Sequence, residues 1–188
     1  YATARRILGL RSLAVLSACV LAFSSTLWTQ AVRPEKYTLN AFFVALILYI
    51  AFGIADPEQR GPHPHLRWLA LAYGLSMAHH RTMLMLAPAL VLYLLWRDPS
   101  LIKRPRDCIP ALCIALAPLL IYLYIPWRAA SQGWYMTMPE FMRHITGAYY
   151  GPAVRLMDWL NPDRAWMFWR FLAAQFGYPG VALGLLGL

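Results

Sequence analysis

The 188-residue chain is 60% hydrophobic and only 13% charged, with a mean hydropathy of +0.47, whereas ordinary soluble domains carry about 25% charged residues. That balance excludes a soluble globular domain and predicts an all-α integral membrane protein. The net charge of +9 does not point to nucleic acid as a partner, because the lysines and arginines sit in short clusters between apolar runs, as loops flanking membrane spans do.

In chain order the apolar runs cover residues 8–28, 37–55, 66–78, 82–96, 109–127 and 166–188. A span needs about 20 apolar residues to cross roughly 30 Å of hydrocarbon. The expectation is one membrane domain over residues 1–188, a polytopic helical bundle of about six transmembrane segments, with residues 128–165 forming an interfacial segment. Runs three and four are each too short to cross and together too long for one straight span. The polar triplet His79-His80-Arg81 lies at their junction, which predicts two short helices meeting at a break inside protein or beside a watery cavity. Trp28, Trp68, Trp96, Trp127 and Trp166 fall near run ends, where amphipathic rings favour the headgroup region. Pro88, Pro110 and Pro118 fall in or at the start of spans, where they kink packed helices. The chain starts without methionine and ends inside an apolar run, so it reads as an excerpt of a longer polypeptide. Cys19, Cys108 and Cys113 form no CxxC pair and no even disulfide set.

Alternating six crossings puts residues 1–7, 56–65 and 97–108 on one side. Total basic charge barely separates the two sides, but "RDPSLIKRPRD" packs four basic residues into one short loop, the pattern that the positive-inside rule weighs most. This side is expected to be cytoplasmic. The other face then collects Glu35, Tyr37, Asn40, His79, His80, Arg81, Arg128 and His144. Such groups above apolar walls suit an anionic lipid headgroup: arginine holds phosphate by a forked pair of hydrogen bonds, and histidine adds a donor near neutral pH. The plainer alternatives are that His79 and His80 end a helix, that Arg128 snorkels to the interface, that Glu35 pairs with Arg33 or Lys36, and that His144 is structural. No Walker loop, GxSxG, HExxH, DxD or GxGxxG occurs, and adjacent histidines do not define a metal site.

Four pieces in order carry a resemblance: "STLWTQAVRPEKYTLNAFFVAL", "YGLSMAHHRTMLMLAPAL", "LLIYLYIPWRAA" and "FMRHITGAYY". Over residues 20–150 the chain resembles a multi-spanning family first catalogued as a domain of unknown function, which includes the transmembrane O-mannosyltransferase of plexin-type receptors and many bacterial relatives. The resemblance implies a GT-C-like fold that transfers a sugar from a polyprenyl-phosphate donor to an extracytoplasmic acceptor, in a bacterial inner membrane. In it Arg81, Arg128 and His79 or His80 would contact the lipid phosphate, while Glu35, Tyr37 and Asn40 would shape the sugar or acceptor site. The implied ligands are this lipid-linked sugar and bound membrane lipids, with no further cofactor and no metal. Two family elements, an acidic loop and a His-Pro-Pro-Gly-Tyr-Pro-like stretch, do not occur here, and Lys36 replaces an apolar residue. The general base is therefore expected upstream of Tyr1, and this stretch is not expected to catalyse transfer alone. The alternatives are a non-catalytic scaffold subunit of a larger respiratory or photosynthetic membrane complex, with other membrane subunits as partners and histidines able to ligate a pigment, and a secondary transporter.

Overall fold

The structure, a computed structural model, describes residues 1–33, 36–54, 64–148 and 161–186. Among them every regular element is helical: α1 (Ala2–Leu8), α2 (Arg11–Ala22), α3 (Ser25–Ala31), α4 (Tyr37–Ile54), α5 (Pro64–His79), a 3-10 helix (Arg81–Leu86), α6 (Ala87–Arg97), a second 3-10 helix (Pro99–Lys103), α7 (Pro105–Leu116), a third 3-10 helix (Ala117–Leu123), α8 (Tyr124–Ser131), α9 (Met138–Thr146) and α10 (Pro162–Leu186).

α4 is 18 residues without proline or charge, about 27 Å of helix, and is long and apolar enough to cross a membrane. The second such element runs from Pro105 to Ser131 through α7, the 3-10 turns and α8. Pro118 has no N–H to donate, and the ladder tightens there into the 3-10 stretch from Ala117. The first apolar run is not one straight span. α2 and α3 meet at a 60° bend, where Ser24 is extended and its hydroxyl donates back to the Leu21 carbonyl at 2.7 Å. The bent pair makes a third candidate crossing. α5 and α6, at 16 and 11 residues, reach only ~24 and ~17 Å. α10 carries the last apolar run but is divided at Gly177, whose φ of 68° lies outside the helical region. Two or three crossings follow from helix length and composition among the described residues.

α5 is the hub, packed between α4 and α7. Small residues let it sit close: a Cβ added at Gly74 would overlap the Ala115 carbonyl oxygen of α7, the kind of approach that membrane helices use in place of a hydrophobic driving force. Two buried clusters flank it, Ile47, Ala51, Leu69, Ala72 and Met83 on the α4 side and Leu66, Ala70, Leu101 and Ala111 on the α7 side. α1 leans on α4, with Thr3 Oγ1 donating to Ala45 O at 3.1 Å and Arg6 Nη1 to Tyr49 O at 2.9 Å. Large apolar side chains point outward, among them Phe42, Leu92, Trp127 and Leu183. A soluble monomer does not tolerate so much contiguous exposed apolar surface, whereas acyl chains cover it at no cost. Together the apolar helices and this outward-facing surface describe an integral membrane protein.

Candidate functional site

The junction of runs three and four is a helix stop followed by a restart. α5 closes with His80 N donating to Ser76 O at 2.7 Å, and His80 then turns extended. Its side chain caps the 3-10 helix that follows: Nδ1 accepts from Thr82 N at 3.4 Å and lies 2.6 Å from Thr82 Oγ1. Accepting at Nδ1 leaves the proton of the neutral ring on Nε2. His79 is fixed differently, donating from Nε2 to the Lys36 carbonyl at 3.0 Å and lying 6.0 Å from the Phe43 ring. That bond ties the end of α5 to the start of α4. Arg81 reaches the third partner: a Cβ at Gly147 would overlap its guanidinium. Gly147, at φ 69°, is the left-handed C-cap of α9, where a cation is favoured by the helix dipole.

These contacts border an open cleft of about 650 Å³ lined by Lys36, His79, His80, Arg81, Tyr122 and His144, together with Ile125 and Ile145. Tyr122 is held by its hydroxyl, which donates to the carbonyls of Met77 and Ala78 at 3.3 and 3.4 Å. Its α9 wall is set by a capping box in which Thr137 N and Oγ1 both donate to Glu140 Oε2 at 2.8 Å. The cleft is cationic and its described lining contains no carboxylate. Partial burial, then the charges of Lys36, His79 and Arg81, hold His80 below the ordinary histidine range, so its ring is neutral at pH 7. Among the described residues no three His, Cys, Asp or Glu side chains come together to hold a metal ion.

A second cavity of about 560 Å³ adjoins the cleft. Its walls are mostly apolar, built from Met77, Leu84, Leu116, Leu119, Leu120, Leu123 and Phe141. Arg81, Tyr122 and Ile145 line both cavities. The two cavities therefore sit side by side as an amphiphilic trough, with cations and imidazoles around one and hydrocarbon around the other.

Of the residues expected on this face, His79, His80, Arg81 and His144 line the cleft. Tyr37 stands beside it, its ring 6.0 Å from that of His80. Asn40 sits one turn into α4, its N–H bonded to Lys36 O at 3.1 Å and its buried Oδ1 without a partner among the described residues. Arg128 is exposed on α8 and does not line the cleft. Glu35 lies outside the described residues. Lys36 and Tyr122 are the additions. Lys36 stood out in the sequence only as a departure from a pattern, and Tyr122 only as a hydroxyl in an apolar run, which itself demands a partner.

No curated protein and no solved structure matches the chain. Residues 2–103 match the family described as the protein O-mannosyl-transferase TMEM260 N-terminal domain. The match spans Lys36 and the His79–Arg81 break and stops short of Tyr122 and His144. Covering more than half of the sequence, it agrees with the resemblance carried by the Glu-Lys-Tyr and His-His-Arg segments, and it lends nothing to the alternative of a scaffold subunit: the chain belongs to the family of the protein O-mannosyl-transferase TMEM260 N-terminal domain.

Proposed function

We propose that the trough binds the polyprenyl-phosphate sugar donor of a GT-C-like O-mannosyltransferase. The observation that carries this reading is that a cationic cleft and an apolar cavity lie side by side and share Arg81, Tyr122 and Ile145 in their walls, since a lipid phosphate is the amphiphile that needs both halves at once. The phosphate lies against Arg81 and Lys36, the prenyl chain runs past Leu84, Leu120 and Phe141, and Glu35, Tyr37 and Asn40 shape the sugar or acceptor side. As the bond between sugar and phosphate oxygen breaks, negative charge grows on the departing lipid phosphate. Fixed cations stabilise that charge without reorganising, and the His80 and His144 imidazoles add hydrogen-bond donors. Activating the acceptor hydroxyl takes a general base, a role that none of the described cleft residues fills as a carboxylate.

In this reading the chain contributes to a bundle of about six crossings in a bacterial inner membrane. The basic loop 97–107 faces the cytoplasm and the cleft faces the opposite side. Mannose transfer from a polyprenyl-phosphate donor, assayed in membranes containing the protein, tests it. R81Q and K36Q should each lower turnover at limiting donor by about tenfold to a hundredfold, the worth of a hydrogen bond to a charged group, with unchanged melting behaviour. A double variant as active as the wild type would refute the donor site.

A further inference from the structure

A separate cavity of about 310 Å³ lies at the other end of α5, between α5, α6, the second 3-10 helix and α7. Its walls are carbon: Leu66 and Ala70 from α5, Leu95 from α6, Leu101 and Ile102 from the 3-10 turn, and Leu112 from α7 are representative. Two polar groups reach it, and both are already engaged. The Tyr73 hydroxyl donates to Met83 O at 3.1 Å and the Cys108 thiol to Leu101 O at 3.2 Å. The groove therefore asks only for hydrocarbon.

The chain positions next to its lining carry cations. Arg67 follows Leu66, Lys103 follows Ile102, and Arg106 precedes Cys108 by two positions, so each exposed cation is a near neighbour in the chain of a groove-lining residue. None of the three carries a hydrogen bond or an ion pair among the described residues. The nearby acids are otherwise committed: Arg104 pairs with Asp98 and, at 3.6 Å, with Asp107. Three exposed cations that adjoin groove-lining residues in the chain, together with the apolar groove itself, offer the two halves of an anionic lipid site. They also argue against a second copy of the chain, because a two-fold axis along the membrane normal would bring the same cations face to face.

We infer that this groove binds one anionic glycerophospholipid, an acyl chain lying between α5, α6 and α7 and the phosphate resting among Arg67, Lys103 and Arg106. Along α5 its lining ends at Tyr73, six residues or ~9 Å before His79 of the polar cleft, and it does not depend on the donor reading. Concentrated basic charge marks this end as the cytoplasmic one, where the leaflet is anionic.

The test is lipid retention by the protein extracted from mixed phosphatidylglycerol and phosphatidylcholine bilayers, read by native mass spectrometry. Phosphatidylglycerol with a photoreactive acyl chain maps the site by peptide sequencing. The expected result is one retained phosphatidylglycerol in preference to phosphatidylcholine, with cross-links in residues 90–95 and 101–112. In R67Q/K103Q/R106Q the preference should disappear, affinity falling about fivefold for each removed charge, while R81Q should keep it. Equal retention of the two lipids overturns the proposal, as do survival of the preference in the triple variant, its loss in R81Q, cross-links confined to the polar cleft, or a lipid-free dimer.

Discussion

His80 joins structure and chemistry in one ring, because Nδ1 must stay unprotonated to cap the 3-10 helix while Lys36 and Arg81 stand close by. Its folded pKa lies below the ordinary 6.5. Between those two values the unfolded chain binds the proton more readily, so the stabilisation is complete above about pH 6.5 and is lost as pH falls toward the lower folded value. Melting temperature of the reconstituted protein, followed from about pH 8 to pH 5, should fall over that window. H80N, which keeps a capping side chain but cannot titrate, should flatten this part of the slope; an unchanged slope would assign it to another group. Gly147 is the second sensitive position. G147A places a Cβ in a left-handed conformation, at a cost of about 1–2 kcal/mol, and pushes it into the Arg81 guanidinium. A weaker donor affinity with a modest loss of stability is expected, separable by measuring KM alongside melting. A change in stability alone would mean that Arg81 is free to move aside without losing its function.

At the level of elements, α9 is fixed more by its ends than by its interior. Its reciprocal Thr137–Glu140 cap and its Gly147 stop are both visible as residue types in "TMPEFMRHITG". The Thr137 N–H and hydroxyl hold the Glu140 carboxyl below the usual range, so the cap is present above ordinary carboxylate pKa values and is lost only in stronger acid. T137A should cost about 1 kcal/mol, read as faster amide exchange in residues 138–146 with α5 unaffected; uniform exchange across the chain would contradict a local cap. The α5–α7 seam behaves differently, because it depends on an absent side chain. G74V sets a branched side chain against the Ala115 carbonyl, and overpacking of this kind costs about 1–3 kcal/mol. Proteolysis of the reconstituted variant should show the whole bundle loosened, since both buried clusters rest on α5. The helix break was legible beforehand because two short apolar runs flank a polar triplet. The 60° bend between α2 and α3 was not, since Ser24 is compatible with a continuing helix and only its extended backbone reveals the turn.

Across the whole molecule, α5 carries two unlike sites at its two ends, and the proposed orientation puts a membrane between them. Single cysteines replacing Thr82 and Ser100, in a chain with Cys19, Cys108 and Cys113 exchanged for serine, should be labelled by an impermeant maleimide from opposite sides of sealed vesicles; labelling from the same side would end the proposed topology. By itself the sequence determined the membrane class, the helical content, the break at His79–Arg81 and the family, because hydropathy, proline placement and short motifs are local properties that survive any packing. Tertiary structure decided the membership and shape of the site. Lys36, Tyr122 and His144 join the His-His-Arg break in one cleft, while Arg128, on the same expected face, remains outside its lining. Hydropathy assigns a residue to a membrane face, but which side chains meet there depends on helix rotation and closeness of approach. Those are set by contacts far apart in the chain, such as Gly74 on Ala115 and Gly147 beneath Arg81, whose effect lies in the side chain they lack and which only the packed bundle reveals.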